Sequence, residues 1–318
     1  MHVLRKMETV PNELADIYPG FRWIVGIMMR GIKAHSSTLS MDVVLTGIPR
    51  SGTTLACFLL NHLPQCVALH EPLDPTRLFG LDCPNAYLDK VTSFYGRQRA
   101  SILRFGTAIS KARAGTIPDN PFTNSQSTLC LRSSDLCRQE IKITKRLDPS
   151  FKLVIKHPNM FTATLPVLVT RFPCFAIVRN PLAVLLSWHS IEAPVNRGRI
   201  PCGEAFDQGL KLQLRAQKDQ LSRQLVILRW YYTRYLGLLP SRHIIRYEDV
   251  ISTGGSALFP IDPAACNLKV PLKNLNTNKF YSEALVKTLA DHLISDASIY
   301  SPFYSASDIE DLLARWAK

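Results

Sequence analysis

The chain has 318 residues, of which 46% are hydrophobic and 20% are charged, and this balance excludes a disordered protein and predicts a globular one with a full core. Its net charge of +13 favours anionic partners, such as an acidic membrane or small molecules that bear phosphate or sulfate. The basic residues are spread along the chain without Lys/Arg blocks, so nucleic acid is not an expected partner.

Residues 1–40 are predicted to form peripheral helices ahead of the first strand. Their apolar stretch, residues 21–32, is too short to span a bilayer and contains Arg22 and Arg30. We expect it to pack on the domain, and peripheral membrane contact is the less favoured alternative. No secretory signal is visible, and the eight cysteines show neither a C-x-x-C motif nor zinc spacing. The sequence therefore favours a cytoplasmic protein with reduced cysteines and no metal.

A glycine-rich turn follows the first predicted strand, residues 43–46, and leads into an apolar helix over residues 52–63. This order is typical of a phosphate-binding loop, because backbone N–H groups at a helix N-terminus bind anionic oxygens. Gly47 and Gly52 permit positive φ angles and close approach to a ligand. A turn that needs its glycines for geometry alone is the alternative.

The loop departs from the nucleotide-triphosphatase pattern G-x-x-x-x-G-K-[ST] at one position. Thr53 stands where that pattern has the lysine that reaches the β- and γ-phosphates, while Thr54 keeps the hydroxyl position. The basic residue lies inside the loop instead, at Arg50. The spacing predicts an anion-binding loop, and the missing lysine argues against a kinase or nucleotide triphosphatase.

Further apolar runs predict buried parallel strands, each ending at a polar or charged residue. They are residues 66–69 before His70 and Glu71, 151–155 before Lys156, 174–178 before Arg179, and 244–245 before Arg246. Helices are predicted over residues 161–171, 182–190, 208–235, 282–294 and 307–317. Residues 76–150, with a helix over 86–113 and turns over 118–134, are predicted to be a variable insertion on the substrate side.

Repetition of strand, loop and helix predicts a three-layer α/β fold of the P-loop NTPase type, with a central parallel sheet flanked by helices. No change in composition requires a second domain, so residues 1–318 are predicted to form a single domain. Doubly wound sheets bind ligands at the carboxyl ends of their strands, which makes the residues that follow the strands the candidate site.

The stretch Pro49-Arg50-Ser51-Gly52-Thr53-Thr54-Leu55 resembles the 5′-phosphosulfate loop of sulfotransferases that use 3′-phosphoadenosine 5′-phosphosulfate (PAPS). It is more similar to the loop of tyrosylprotein and carbohydrate sulfotransferases than to that of the cytosolic phenol and steroid enzymes. The run from Phe175 to Pro181 and on to Ser187 resembles the family's 3′-phosphate motif. The resemblance covers residues 42–75 and 151–295.

The resemblance implies that PAPS is the donor, that adenosine 3′,5′-bisphosphate (PAP) is the product, and that no metal takes part. In the family an arginine and a later serine bind the 3′-phosphate, and a guanidinium suits bidentate contact with that group. A surface arginine at a strand end is the alternative for Arg179. The predicted cofactor-binding residues are Arg50, Ser51, Gly52, Thr53, Thr54, Arg179 and Ser187.

Glu71 and Lys156 are the predicted catalytic residues. Transfer to a hydroxyl requires removal of the acceptor proton, and related enzymes have a glutamate at this offset as general base. The resemblance implies that Lys156 stabilises negative charge on the transferring group. His70 is the alternative base, but adjacent strand residues face opposite sides, so His70 and Glu71 are not expected to reach one acceptor. Solvated turn or strand-end positions are the alternative for both candidates.

The remaining polar residues receive weaker interpretations. His157 and residues 246–249 are predicted to be structural, the latter by tying strand ends to loops. Trp230 and Tyr231 lie at helical spacing, which favours the core over contact with adenine. Two lysines, Lys273 and Lys279, lie where related chains have a loop that closes on the cofactor.

The predicted function is transfer of a sulfuryl group from PAPS to a hydroxyl of a carbohydrate, lipid or small metabolite. A P-loop kinase or nucleotide triphosphatase is one alternative, and a non-catalytic member of the fold that binds nucleotide is another. Residues 76–150 match no acceptor-binding segment of the family, which leaves the acceptor class open. The membrane anchor of the family's Golgi members is not seen, which suggests a soluble enzyme.

Overall fold

The computed structural model describes residues 41–81, 83–122, 131–277 and 281–316. A parallel sheet of five strands lies at its centre, in the order β2-β5-β1-β6-β7. The strands are β1 (Asp42–Gly47), β2 (Cys66–His70), β5 (Lys152–Lys156), β6 (Cys174–Val178) and β7 (Ile244–Arg246). The peripheral helices predicted within residues 1–40 lie outside the described residues.

The sheet separates two hydrophobic cores. Val43 and Leu45 of β1 pack into one core, together with helix α1 (Thr53–Leu60). Val44 points into the other core, which contains most of the remaining helices. Strands buried on both faces read as unbroken apolar runs. The predicted three-layer P-loop-like α/β fold with a central parallel sheet is therefore confirmed.

Helices connect and cover the strands. Asn180 begins one of them, because its side chain accepts the N–H groups of Leu182 and Ala183 and Pro181 occupies the first turn. The helices after α1 are α2 (Pro84–Phe105), α3 (Pro158–Ala163), α4 (Leu165–Leu168), α5 (Pro181–His189), α6 (Pro201–Phe206), α7 (Gln208–Ala216), α8 (Gln220–Leu238), α9 (Tyr247–Ser252), α10 (Glu283–Ser295) and α11 (Ala306–Trp316). Short 3-10 helices cover Pro75–Leu78, Pro194–Arg197, Ser241–His243, Ser256–Leu258, Pro263–Asn267 and Ala297–Ile299.

The predicted helix over residues 86–113 is wrong in its second half. The helix α2 ends where Gly106 adopts a φ of 64° and donates its N–H to Ile102 O. The chain then forms β3 (Thr107–Ala112), which pairs antiparallel with β4 (Cys137–Lys142). Alternate residues of β3 are buried, but its sequence TAISKA does not alternate between apolar and polar residues, so the period of two appears only in the structure.

Two other predicted helices are divided. The span 161–171 contains α3 and α4, which are both short. The span 208–235 is broken between α7 and α8, where the side chain of Asp219 accepts the N–H of Ser222 and caps the second helix. The long amphipathic pattern concealed this cap, because the apolar face continues on both sides of the break.

Neither membrane-spanning helices nor disulfides occur in the described ranges. No helix there is both long and apolar enough to cross a bilayer. Seven cysteines of the described residues are free, which agrees with the expectation of reduced thiols, and Cys130 lies outside these residues.

Gly47 ends β1 against β6 and allows the two strands to approach closely. A Cβ at Gly47 would lie 2.5 Å from Ile177 O, and the φ of this glycine is 151°. Gly47→Ala is therefore expected to lower the free energy of unfolding by about 1–3 kcal/mol in urea denaturation. Gly96 of α2 is the control, because its Cβ would meet nothing within 4 Å. Gly96→Ala should raise stability by about 0.5–1 kcal/mol. Equal midpoints for wild type and Gly47→Ala would contradict this packing.

Candidate functional site

The glycine loop joins β1 to α1 at the carboxyl edge of the sheet. Gly52 caps α1 with a φ of 90°, and a Cβ there would lie 2.6 Å from the ring of Tyr247. Ser51 is fully buried and donates its hydroxyl to Ile177 O at 2.7 Å. The side chain of Ser51 thus anchors the loop to β6, its N–H donates to Ile48 O at 3.0 Å, and Ser51 does not line the cavity described below. At the start of α1, Thr53 and Thr54 face the space in front of the loop.

Two arginines lie side by side in front of this loop. Arg179, which follows β6, donates from Nη1 to Arg50 O at 2.9 Å and from Nε to Asn276 Oδ1 at 2.7 Å. Its guanidinium lies 4.4 Å from the centre of the Tyr247 ring. Arg50 donates from Nε to Ser187 Oγ at 3.0 Å. The structure therefore brings together the arginines from the two predicted phosphate motifs.

These arginines have no carboxylate partner among the described residues. Burial, together with the neighbouring charges of Arg132 and Arg179, holds the pKa of Arg50 far below its ordinary value. Desolvation and like charges both disfavour a cation, and an anion placed between the arginines relieves both. The cluster is thus built for an anionic ligand.

Ser187 lies further from the ligand space than the resemblance implied. It is 4% exposed, its hydroxyl accepts from Arg50, and it does not line the cavity described below. Ser187 therefore positions Arg50 in this structure, and direct contact between Ser187 and a phosphate stays a prediction.

A second cluster lies where β2 and β5 end. The register of these strands pairs His70 with Lys156. Lys156 Nζ lies 3.0 Å from Glu71 Oε1 and 3.2 Å from His70 Nε2. Nε2 of His70 thus faces both the ammonium of Lys156 and the carboxylate of Glu71, whereas Nδ1 is buried and has no hydrogen-bond partner among the described residues. Burial and the charge of Lys156 lower the pKa of His70 to about 4, which keeps the ring neutral.

The expectation that His70 and Glu71 face opposite sides is wrong. Glu71 adopts a φ of 45°, which turns its side chain back toward His70, and His70 Nε2 lies 3.3 Å from Glu71 Oε1. The alternation of side chains holds within an extended strand, and Glu71 is one residue beyond the end of β2. Both candidate bases consequently contact the same lysine.

A lysine that sequence reasoning missed binds the other oxygen of Glu71. Lys111 of β3 donates from Nζ to Glu71 Oε2 at 2.7 Å. Burial alone would raise the pKa of Glu71, but Lys156, His70 and Lys111 together hold it well below its ordinary value. The buried residues of β3 are Ala108, Ser110 and Ala112, so no alternation of apolar and polar residues in the sequence marks this strand. Glu71 is therefore an ionised carboxylate at neutral pH.

One cavity of about 640 Å³ connects the arginines with the Glu71 cluster. Its wall includes backbone and side chains from the glycine loop, from the ends of β2, β5 and β6, and from the segment after β7. Of the predicted site residues it is lined by Arg50, Gly52, Thr53, Thr54, Glu71, Lys156 and Arg179. Lys273 also lines it, whereas Lys279 lies outside the described residues.

Other sequence interpretations have mixed outcomes. Trp230 and Tyr231 are 3% and 0% exposed and belong to the core, so contact of either with adenine is excluded. His157 is structural as predicted, because its Nε2 accepts the N–H of Leu73 at 3.2 Å. The structural role of residues 246–249 is also confirmed. Glu248 accepts from Asn180 N, Asn276 Nδ2 and Tyr304 Oη and so ties three loops together.

No protein-family model and no curated protein matches the chain. Among solved structures, it is similar to the sulfotransferase domain of the Synechococcus PCC 7002 olefin synthase, with 15% sequence identity and a TM-score of 0.34 over 91% of this chain and 98% of that one. It is also similar to the sulfotransferase STF9 of Mycobacterium avium, with 13% identity and a TM-score of 0.33 over 92% of this chain and 80% of that one.

The arginine cluster predicts that sulfate stabilises the ligand-free protein beyond its general salting-out effect, since binding to the native state alone raises stability. Thermal unfolding in sodium sulfate and in sodium chloride of equal ionic strength measures this difference. Arg50→Met should reduce the sulfate-specific rise in melting temperature, whereas Arg97→Met, which removes an exposed charge on α2, should leave it intact. An equal rise in all three proteins would show that the arginines bind no anion.

Proposed function

We propose that this chain is a sulfotransferase that moves a sulfuryl group from PAPS to an acceptor hydroxyl by in-line transfer. The observation that carries the proposal is the cavity itself. It joins a phosphate-type loop, two arginines without carboxylate partners and a glutamate–lysine pair within one space. An anionic nucleotide end and a proton-accepting end are what sulfuryl transfer to a hydroxyl requires.

The residues of the cavity fit the donor. Arg50, Gly52, Thr53 and Thr54 would hold the 5′-phosphosulfate, and Ser51, predicted as a further donor-binding residue, would act by anchoring the loop to β6. Arg179 would hold the 3′-phosphate together with Ser187. PAPS supplies an activated sulfuryl group when it is bound. The fit is supported by the two arginines, since Arg179 donates to the backbone oxygen of Arg50 and neither guanidinium has a carboxylate partner among the described residues.

The protein's own contribution to the chemistry is a base and a cation. Glu71 is ionised and 23% exposed on its side chain, so it can accept the proton of an acceptor hydroxyl. Lys156 is 3% exposed, and a cation in so dry a position stabilises developing negative charge more strongly than one in water. His70 is neutral, and its Nε2 is occupied by contact with Lys156 Nζ. This contact supports Glu71 as the base.

Two alternatives fit less well. A kinase or nucleotide triphosphatase would place a lysine at Thr53, and the end of β6 carries Arg179 where an acidic residue would bind magnesium. A non-catalytic nucleotide-binding protein would have no need for Glu71 and Lys156, yet the fold holds both at the cavity wall. Glu71 also adopts a left-handed backbone conformation, which is costly for a residue without a role.

Finer features of the function are part of the same proposal. The loop sequence and the pair Glu71-Pro72 favour the tyrosylprotein and carbohydrate branch of the family. The acceptor is a hydroxyl of a carbohydrate, lipid or small metabolite, and the enzyme is cytoplasmic. Neither a metal nor nucleic acid takes part in the proposed reaction.

Calorimetry with two nucleotides tests the donor. PAP is expected to bind the cavity, because its 3′-phosphate and 5′-phosphate match the two arginine positions. ATP with magnesium is expected to bind at least tenfold more weakly, since the loop has no lysine for the β- and γ-phosphates. Preference for ATP with magnesium would favour the kinase alternative and overturn the proposal.

Glu71→Gln tests the base. The amide keeps the shape of the carboxylate but cannot take a proton, so transfer of radiolabelled sulfate to a pool of hydroxyl acceptors should fall by about 10²–10⁴-fold. Binding of PAP should stay within a few-fold of wild type, because Glu71 is not among the proposed donor-binding residues. Turnover close to that of wild type would show that Glu71 is not the base.

A further inference from the structure

We propose that Lys111 is a positioning residue for Glu71: it holds Oε2, which orients the carboxylate and keeps it ionised to receive the acceptor proton. Lys111 belongs to the insertion between β2 and β5, outside the loop and strand ends that carry the resemblance to sulfotransferases. The inference rests on the proposed function, because it assigns a role in proton removal at the same site.

The hairpin of β3 and β4 is fixed to the strand that precedes Glu71. Ser110 is fully buried, and its hydroxyl accepts the N–H of His70 at 2.9 Å. On the other side, Arg138 of β4 donates to Leu73 O at 3.0 Å. These contacts fix the backbone on both sides of Glu71. The position of Lys111 is thus set by buried contacts rather than by its ion pair alone.

Each of the two lysines binds a different oxygen of the Glu71 carboxylate. Lys156 donates to Oε1 and also to His70, whereas Lys111 donates to Oε2. Each carboxylate oxygen has two lone pairs, so the carboxylate can accept a further proton donor beside these lysines. Lys156 is the lysine proposed to stabilise developing charge on the transferring group. Lys111 then remains as the group that orients Glu71 and keeps it ionised.

In the proposed transfer step, each bond that forms is matched by one that breaks. The acceptor oxygen forms a bond to sulfur, and its proton passes to the carboxylate of Glu71. The bond between sulfur and the bridging oxygen of the donor breaks, and its electron pair stays on that oxygen, which becomes part of the phosphate of PAP. Lys111 neither gives nor takes a proton, so it is not itself catalytic.

The other titratable groups around Glu71 are neutral. Burial raises the pKa of Cys57 on α1, Cys202 on α6 and Tyr231 on α8, and burial lowers the pKa of His70 and His157. Among the described residues, the charged groups that act on Glu71 are therefore Lys156 and Lys111. Removing Lys111 takes away one of two cations, which should raise the pKa of Glu71.

The pH dependence of kcat/KM tests this role. With Lys111→Met, the acidic limb of the profile should move to higher pH by about one unit, because one such unit corresponds to a tenfold change in the interaction with the charged form. Lys111→Arg, which keeps the charge, should restore the wild-type limb. Lys142→Met removes an exposed charge from the same hairpin and serves as control. An unshifted acidic limb in Lys111→Met would overturn the proposal.

A readout without substrate distinguishes this inference from the function on which it rests. The folded-state pKa of Glu71 is depressed, so its ion pairs stabilise the fold above the ordinary glutamate pKa, and this is lost as the pH falls through the depressed value. Lys111→Met should therefore lower the folding equilibrium constant at neutral pH, with a smaller effect in acid and little effect in the background of Glu71→Gln.

Equal effects of Lys111→Met in both backgrounds would mean that Lys111 acts through packing alone, and the inference would fail. The urea-unfolding cycle needs neither donor nor acceptor. If the effect of Lys111→Met depends on Glu71 but the protein fails to bind PAP, the ion pair stands and the sulfotransferase proposal is refuted instead. If Lys111→Met has the same effect with and without Glu71, and the variants still bind PAP and transfer sulfate, only the role of Lys111 is refuted.

Discussion

Strand β1 is hydrogen-bonded in parallel to β5 on one side and to β6 on the other, so the three strands end side by side. Because every strand of a parallel sheet points the same way, residues far apart in sequence meet at one edge. Lys156 ends β5 and Arg179 follows β6, and the glycine loop after β1 lies between them. Each remaining group of the cavity reaches its place by contact with this edge.

The two ends of the cavity at this edge differ in their balance of positive and negative charge, and this difference determines what each end can bind. At one end, buried arginines have no carboxylate of the described residues to offset them, and the pKa of Arg50 falls. At the other end, two lysines bind one carboxylate, and the pKa of Glu71 falls as well. The first end is stabilised by an added anion, whereas the second already contains its own. In the proposed function, the first end would attract a polyanionic donor, and Glu71, the proposed base, stays ionised at the other.

The parts of this site that the sequence predicted share a simple local pattern. The glycine loop, Lys156 and Arg179 each follow an unbroken apolar strand. Such a strand can be recognised from the sequence without knowing which distant residues it contacts. Lys111 lies on β3, whose sequence does not alternate between apolar and polar residues, so it favours continuation of the preceding helix. The meeting of His70 and Glu71 depends on one backbone angle, and no residue pattern signals a positive φ at a glutamate.

Two residues that line the cavity, Arg50 and Glu71, have φ angles of 73° and 45°, in a region that costs a non-glycine residue about 1–2 kcal/mol. Their neighbours maintain both conformations: Arg179 donates to Arg50 O, and Glu71 N donates to Lys156 O at 2.8 Å. Arg179 thus maintains the turn at Arg50 with its side chain, whereas Lys156 maintains the turn at Glu71 through its backbone carbonyl. Loss of the Arg179 side chain would release a backbone turn as well as a charge, so the geometry of the loop depends on a group that the proposed chemistry also uses.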